Sequence, residues 1–220
     1  MFTGIVQAVG TIARSEARGG DVRLWIDAAN LDLADVGVGD SICVSGVCLT
    51  VVALDRVGFA ADVSAETLSC TTFGECAAGA GVNLEKSLRL SDRLGGHLVS
   101  GHVDGVGRVV AIEADARSQR WTFAVPAALS RYIAAKGSVC VDGVSLTVNE
   151  VDGDRFGVNL IPHTVQVTTF GRRRVGDAVN IEVDMMARYV ERLLACDPHP
   201  NPSPRAGEGG ERAARAGGGK

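Results

Sequence analysis

The sequence predicts an all-β chain made of two tandem copies of one closed barrel. Three observations carry that reading. The first is an internal repeat: GDSICVSGVCLTV (39–51) returns as KGSVCVDGVSLTV (136–148), 97 residues later. The same offset pairs TGIVQAVG (3–10) with SGHVDGVG (100–107), TLSCTTFG (67–74) with TVQVTTFG (164–171), and GVNLE (81–85) with AVNIE (178–182). A unit of about 95 residues is too long for a solenoid repeat and suits a small domain. The second is turn chemistry, since Ser45-Gly46 and Asp142-Gly143 occupy equivalent places and Asp-Gly is a strong hairpin signal. The third is period-2 alternation after each turn. Val144, Leu146 and Val148 share one face and Ser145 and Thr147 the other; in copy one Val47, Leu49 and Val51 oppose Cys48 and Thr50. Strands with one apolar and one polar face, short and numerous, build a barrel wall with its core inside.

Along the chain, the first copy spans 1–97 and the second 98–184, with 87–96 as a linker. Within copy two, 126–137 predicts a helix with Pro126 as its first residue, Leu129, Tyr132 and Ile133 on one face, and Gly137 as its stop. A second helix is predicted at 185–196, with Met186, Val190, Leu193 and Leu194 on one stripe. Nothing left in the chain covers that stripe, so a partner subunit is expected there. From 197 to 220 four of the six prolines and six glycines accumulate, which predicts a disordered tail.

Composition narrows the function classes. A 46% hydrophobic, 22% charged chain with net charge −4 is an ordinary globular protein, and argues against a partner that is nucleic acid. No run approaches the ~18 apolar residues of a membrane span. The N-terminus lacks a basic region and a long apolar stretch. A cytoplasmic protein without a membrane partner is expected. The six cysteines (43, 48, 70, 76, 140, 196) form no CxxC pair, and the histidines at 97, 102, 163 and 199 make no metal constellation. Reduced thiols and no metal site are expected.

The copies agree on scaffold residues and differ at polar ones. Ile5 becomes His102, Gly39 becomes Lys136, Ser45 becomes Asp142, Cys48 becomes Ser145, and Ala65-Glu66 becomes Pro162-His163. Two similar pockets with dissimilar chemistry follow, suited to two similar ligands or to one ligand in two roles. The run Arg172-Arg173-Arg174, matched by Glu75-Cys76-Ala77, reads as a solvated turn.

The opening MFTGIV, the segment GGHLVSGHV (95–103) and the pair CLTV/SLTV resemble the riboflavin synthase family, alpha-chain type, over residues 1–195. The resemblance implies a tandem pair of six-stranded Greek-key barrels with a C-terminal helix that assembles a homotrimer. It implies a transferase at the last step of riboflavin biosynthesis: two molecules of 6,7-dimethyl-8-ribityllumazine exchange a four-carbon unit, giving riboflavin and 5-amino-6-ribitylaminouracil. No metal or redox cofactor is implied. One pocket is expected from Gly4, Ile5 and Val6 with Cys48, Leu49, Thr50 and the stretch Asp62, Val63, Ser64, Ala65, Glu66, Thr67. The other is expected from Gly101, His102 and Val103 with Lys136, Ser145, Leu146, Thr147 and the stretch Leu160, Ile161, Pro162, His163, Thr164, Val165.

The implied reaction needs a proton taken from the C7 methyl of one lumazine and a nucleophile added at C7 of the other. His102 suits a proton shuttle near neutral pH. Cys48 or Ser145 is the nucleophile, or orients a water. Lys136, Thr147, Phe2, Ser41, His97 and Asp142 complete the expected catalytic set. Two other readings stand beside this one. A non-catalytic lumazine-carrying protein of the same fold is expected to lose chemistry from one half. A reductase's flavin barrel needs a nicotinamide-binding βαβ unit, and no glycine fingerprint follows.

Overall fold

The computed structural model describes residues 1–195; the expected tail at 197–220, with Cys196 and His199, lies outside the described residues. The first barrel is built from β1 (Ala8–Arg18), β2 (Asp21–Asp27), β3 (Ser41–Val44), β4 (Val47–Leu54), β5 (Gly58–Val63) and β6 (Gly81–Lys86), closed in the order β1-β2-β5-β4-β3-β6. The second uses β7 (Gly105–Asp115), β8 (Ser118–Ala124), β9 (Ser138–Val141), β10 (Val144–Asp152), β11 (Arg155–Leu160) and β12 (Ala178–Val183), in the matching order β7-β8-β11-β10-β9-β12. Every strand of the second barrel starts 97 residues after its counterpart, so the sequence offset is also the structural one. Between β5 and β6 stand α1 (Ala65–Cys70) and a 3-10 turn (Thr72–Glu75); between β11 and β12 stand α3 (Pro162–Val167) and a second such turn (Thr169–Arg172). The last described element is α4 (Met185–Ala195). No helix among the described residues is long and apolar enough to cross a membrane.

The predicted hairpins form for the predicted reason. Ser45 and Gly46 have φ of 44° and 87°, and Asp142 and Gly143 have 47° and 79°. Two successive left-handed residues define the turn whose twist matches the flanking strands. Beyond each turn Val47, Leu49 and Val51, and likewise Val144, Leu146 and Val148, are buried, whereas Thr50 and Thr147 are exposed. One-residue bulges after Ile12, Val51, Val109 and Val148 bend the longer strands around the closure. The cores differ in filling. The first is mainly aliphatic around Phe59 and Phe73, and the second stacks Trp121, Phe123, Phe156 and Phe170 with centroids 5.2–6.2 Å apart.

The helix predicted at 126–137 is corrected. Only α2 (Ala127–Ser130) forms, with Pro126 as its cap rather than its first residue. From there the chain runs in tight i→i−3 turns (Tyr132 N to Leu129 O, Ile133 N to Ser130 O, Gly137 N to Ala134 O). These still lay Leu129, Tyr132 and Ile133 on the second core, so the apolar spacing was real and its helical reading was not. Conversely, α1 and α3 were not predicted. Their signals are local: Ser64 Oγ accepts from Thr67 N, and Pro162 stands in the first turn of α3.

The barrels are joined by two segments that cross. Phe2 and Val99 pair antiparallel, N to O, at 2.8 and 3.1 Å. Each strand then runs to the other copy's barrel: Gly4 O accepts from Ser145 N, and Gly101 O accepts from Cys48 N, both at 2.8 Å. Val6 packs on the second core and Val103 on the first. Phe2, fully buried, fills the seam with Cys43, Val99 and Cys140. Buried Asn83 and Asn180 tie the barrels reciprocally. Each donates to the opposite hairpin turn (Asp142 O, Ser45 O) and accepts from the opposite 3-10 turn (Thr169 N, Thr72 N), all at 2.8 Å.

Candidate active site

The crossing corrects the expected grouping of the pockets. Gly4-Ile5-Val6 lies against Ser145 of the second barrel, and Gly101-His102-Val103 lies against Cys48 of the first. The approach is close: a Cβ on Gly4 would sit 2.6 Å from Ser145 Cβ, and one on Gly101 2.6 Å from Cys48 Cβ. Both glycines have φ near +75° (75° and 77°), the left-handed region that glycine enters without a steric penalty. Each polar wall is therefore met by an incoming strand from the other copy.

Two buried carboxylates hold the incoming strands. Glu85 accepts from Thr3 N at 2.7 Å, Thr3 Oγ1 at 2.6 Å and Gly4 N at 2.9 Å. Glu182 accepts from Ser100 N at 2.7 Å, Gly101 N at 2.9 Å and His102 N at 3.0 Å. Burial pushes both carboxyls above the usual range, and these donors pull against it. Neither glutamate was among the expected site residues. The repeat pair GVNLE and AVNIE carried the signal, because Asn and Glu stand in both copies between residues of a buried strand.

At the second-barrel pocket, His97 Nδ1 lies 2.7 Å from Ser145 Oγ. Burial lowers the His97 pKa, with Asp184 opposing, so the imidazole is neutral at neutral pH. In the tautomer that carries its proton on Nε2, Nδ1 accepts the Ser145 hydroxyl proton, the arrangement that activates an oxygen nucleophile or a water bound to it. Among the described residues, Cys48 on the first barrel has no such partner. The first-barrel wall has instead the exposed His102, brought by its strand. Ser41 pairs with Thr50 and Ser138 with Thr147 on the outer faces, where Cys48 and Ser145 are half-buried and both threonines exposed. These polar faces open to solvent in the single chain.

Other expected residues stand differently. Leu49, Leu146, Val63 and Leu160 are buried in the barrel cores. Asp142 is fully buried between the barrels, accepting from Arg173 Nη2 at 2.7 Å and Asn180 N at 2.8 Å. Its hydrogen-bonding partners are thus Arg173 and the backbone of Asn180. Arg173 is correspondingly not a solvated turn residue: its side chain is 24% exposed. Asp62 is held bidentate by Arg23 at 2.6 and 2.8 Å, which lowers its pKa. Ser64 caps α1, Glu66 accepts from Cys70 Sγ, and Ala65, Ile161, Pro162 and His163 are exposed around the helix starts; Thr67, Thr164 and Val165 are half-buried. Lys136 is exposed with φ 67°, where copy one has Gly39 at 99°. A lysine in the left-handed region is a local cost retained at this position.

A cavity of about 490 Å³ takes Leu160, Pro162 and Val165 into its wall with Val9, Arg117 and Arg172, and another of about 340 Å³ opens between the two 3-10 turns. Neither has Cys48 or Ser145 on its wall. Among the described residues, no group of three His, Cys, Asp or Glu side chains is placed to hold a metal ion.

Comparison with known proteins agrees with this architecture. The lumazine binding domain model matches residues 3–87 and again 100–184. The chain is 49% identical over 197 residues to a riboflavin synthase of Photobacterium phosphoreum, covering 90% of each chain. It is 47% identical over 207 residues to one of Mycobacterium bovis, covering 88% of this chain and 98% of that one. Among solved structures it is similar to LumP complexed with riboflavin (TM-score 0.77, 28% identity, 83% of this chain and 99% of that one). It is also similar to LumP complexed with 6,7-dimethyl-8-(1'-D-ribityl) lumazine (TM-score 0.75, 27% identity, the same shares). With the lumazine binding domain present twice and riboflavin synthases this similar over nine-tenths of its length, the chain belongs to the riboflavin synthase family.

Proposed function

We propose that the chain converts two molecules of 6,7-dimethyl-8-ribityllumazine to riboflavin and 5-amino-6-ribitylaminouracil, using its two composite pockets in unequal roles. The observation that carries this is the pairing of equal scaffolds with unequal polar groups: Ser145 with neutral His97 in one pocket, Cys48 with exposed His102 in the other. One lumazine donates its four-carbon unit and leaves as the pyrimidine, and the other accepts that unit and becomes riboflavin. His102 takes the C7-methyl proton of one ring, and Ser145, Cys48 or a water held by them adds at C7 of the other. Exposed Lys136 is assigned to the ligand's electronegative edge and Thr50 and Thr147 to ribityl hydroxyls. Holding both rings in register is worth on the order of 7–11 kcal/mol by itself.

The experiment is direct. Purified protein given only the lumazine is expected to form riboflavin and 5-amino-6-ribitylaminouracil in equal amounts. Lumazine bound without riboflavin appearing would support the carrier reading instead.

Assembly belongs to the same proposal. The apolar side chains of α4 face solvent in the single chain, with Met186, Val190, Leu193 and Leu194 each more than half exposed. An apolar stripe of this kind marks an interface, and a homotrimer joined through α4 lets the open polar face of one chain meet that of a neighbour. A chain ending at Asp184 is expected to lose both assembly and turnover on sizing and assay. A truncated chain that stays trimeric contradicts this role for α4. A cytoplasmic setting completes the reading.

A further inference from the structure

The two incoming strands are held alike as far as Glu85 and Glu182, and differently two residues beyond His102 and its counterpart Ile5. In copy one Gln7 Oε1 accepts from Lys86 N at 3.0 Å. In copy two Asp104 Oδ2 accepts from Val183 N at 2.8 Å and also from Arg188 Nη2 at 2.7 Å. The same Arg188 Nη2 donates to His102 O at 3.0 Å. Arg188 belongs to α4, and its counterpart by the repeat offset is Ser91. Among the described residues, the strand that bears His102 is therefore tied to the C-terminal helix and its counterpart is not. That helix is in turn seated on its own barrel by Glu191, which meets Tyr132 and Arg131.

We propose that Arg188 is a positioning residue, fixing the peptide that carries His102 and making its orientation depend on the seating of α4. The geometry supports this from both sides of His102. Its N–H is held by Glu182 and its C=O by Arg188, so the peptide planes on either side of its Cα are held and the ring's launch direction is set. Ile5 N, by contrast, bonds only to the hydroxyl of Thr3, and an apolar residue there needs no aim. A guanidinium is suited to the task, because one nitrogen serves a carbonyl and a carboxylate at once.

The inference rests on the function proposed above, and its test separates the two. Arg188→Met keeps the apolar stem and removes the donors; Arg188→Lys keeps a cation with donors to spare. In the full-length protein, Arg188→Met is expected to lower kcat about 10- to 100-fold, with KM moved far less because Glu182 still holds the strand. Arg188→Lys is expected to recover much of that loss. In the ligand-free Met variant, the His102 imidazole resonances, assigned with His102→Gln, are expected to shift and broaden while sedimentation shows unchanged assembly. Wild-type kcat in the Met variant, a loss of activity that only follows loss of assembly, or unmoved His102 resonances would overturn the proposal. If the wild-type protein itself makes no riboflavin, the function fails, and the His102 resonances still decide the positioning claim.

Discussion

Gly101→Ala is expected to lower riboflavin formation on the order of 100-fold or more while both barrels stay folded. Two penalties coincide. The backbone there has φ +77°, which costs a residue with a Cβ roughly 1–2 kcal/mol. The added carbon would also lie 2.6 Å from Cys48 Cβ and 2.8 Å from Cys48 N, and a paired strand backbone yields little. The cheapest relief is for the strand to lift, which breaks Gly101 O to Cys48 N and leaves Glu182 buried without its N–H donors, a further cost of about 1–3 kcal/mol. His102 then leaves the first-barrel pocket. Far-UV circular dichroism should be unchanged, turnover nearly lost, and Cys48 more reactive toward a thiol reagent. Gly79→Ala is the control: it has φ +91° with nothing within 4 Å, so it carries the strain without the clash and should keep its activity. Near-normal turnover in Gly101→Ala would contradict the close seating.

Arg173→Met is expected to destabilise the fold by about 3–5 kcal/mol at neutral pH, because it strands the fully buried Asp142 carboxylate. For a chain of this length that corresponds to a fall in Tm of roughly 10 °C. The pH dependence has a definite sign. Burial already holds the Asp142 pKa above its ordinary value, with Arg173 pulling it down. Removing Arg173 raises it further, so the native state binds a proton that the unfolded chain gives up near ~3.9. The penalty therefore grows as pH rises from the ordinary carboxylate range through the native pKa, and shrinks on acidification. Thermal melts at pH 5 and pH 7.5 read this difference. The first copy shows the rescue: Ser45, equivalent to Asp142, accepts from Asn83 N through its hydroxyl at 3.1 Å. Asp142→Ser combined with Arg173→Met should recover all but about 1 kcal/mol. A double variant no more stable than Arg173→Met alone would show the pair to be more than a local ion pair.

The backbone of this protein was legible in its repeats. One offset of 97 places every strand of the second barrel, and the positive-φ turns fall at Ser45-Gly46 and Asp142-Gly143 as their chemistry demands. What a repeat cannot tell is which copy a segment touches. It aligned Gly4 with Gly101 and Cys48 with Ser145, and grouping by copy then put Gly4 beside Cys48; the chain crosses and puts it beside Ser145. The burial of Asp142 escaped the sequence for a related reason. A charge that differs between copies suggests chemistry, yet here it neutralises an arginine, Arg173, that also differs. Glu85 and Glu182 escaped notice by being alike, since the differences between copies drew the attention. The pairing of His97 with Ser145 spans 48 residues, and no local pattern announces a contact made by a linker folding back.

The most direct test of the composite-pocket account is a crystal structure of the full-length protein with 6,7-dimethyl-8-ribityllumazine bound. The account predicts one lumazine on the Ile5 strand and the Ser145–Thr147 wall, with His97 behind Ser145. It predicts another on the His102 strand and the Cys48–Thr50 wall. A single lumazine held between the Ile5 strand and the Cys48–Thr50 wall, or one bound in the cavity lined by Val9 and Arg117 with both polar walls empty, would contradict it.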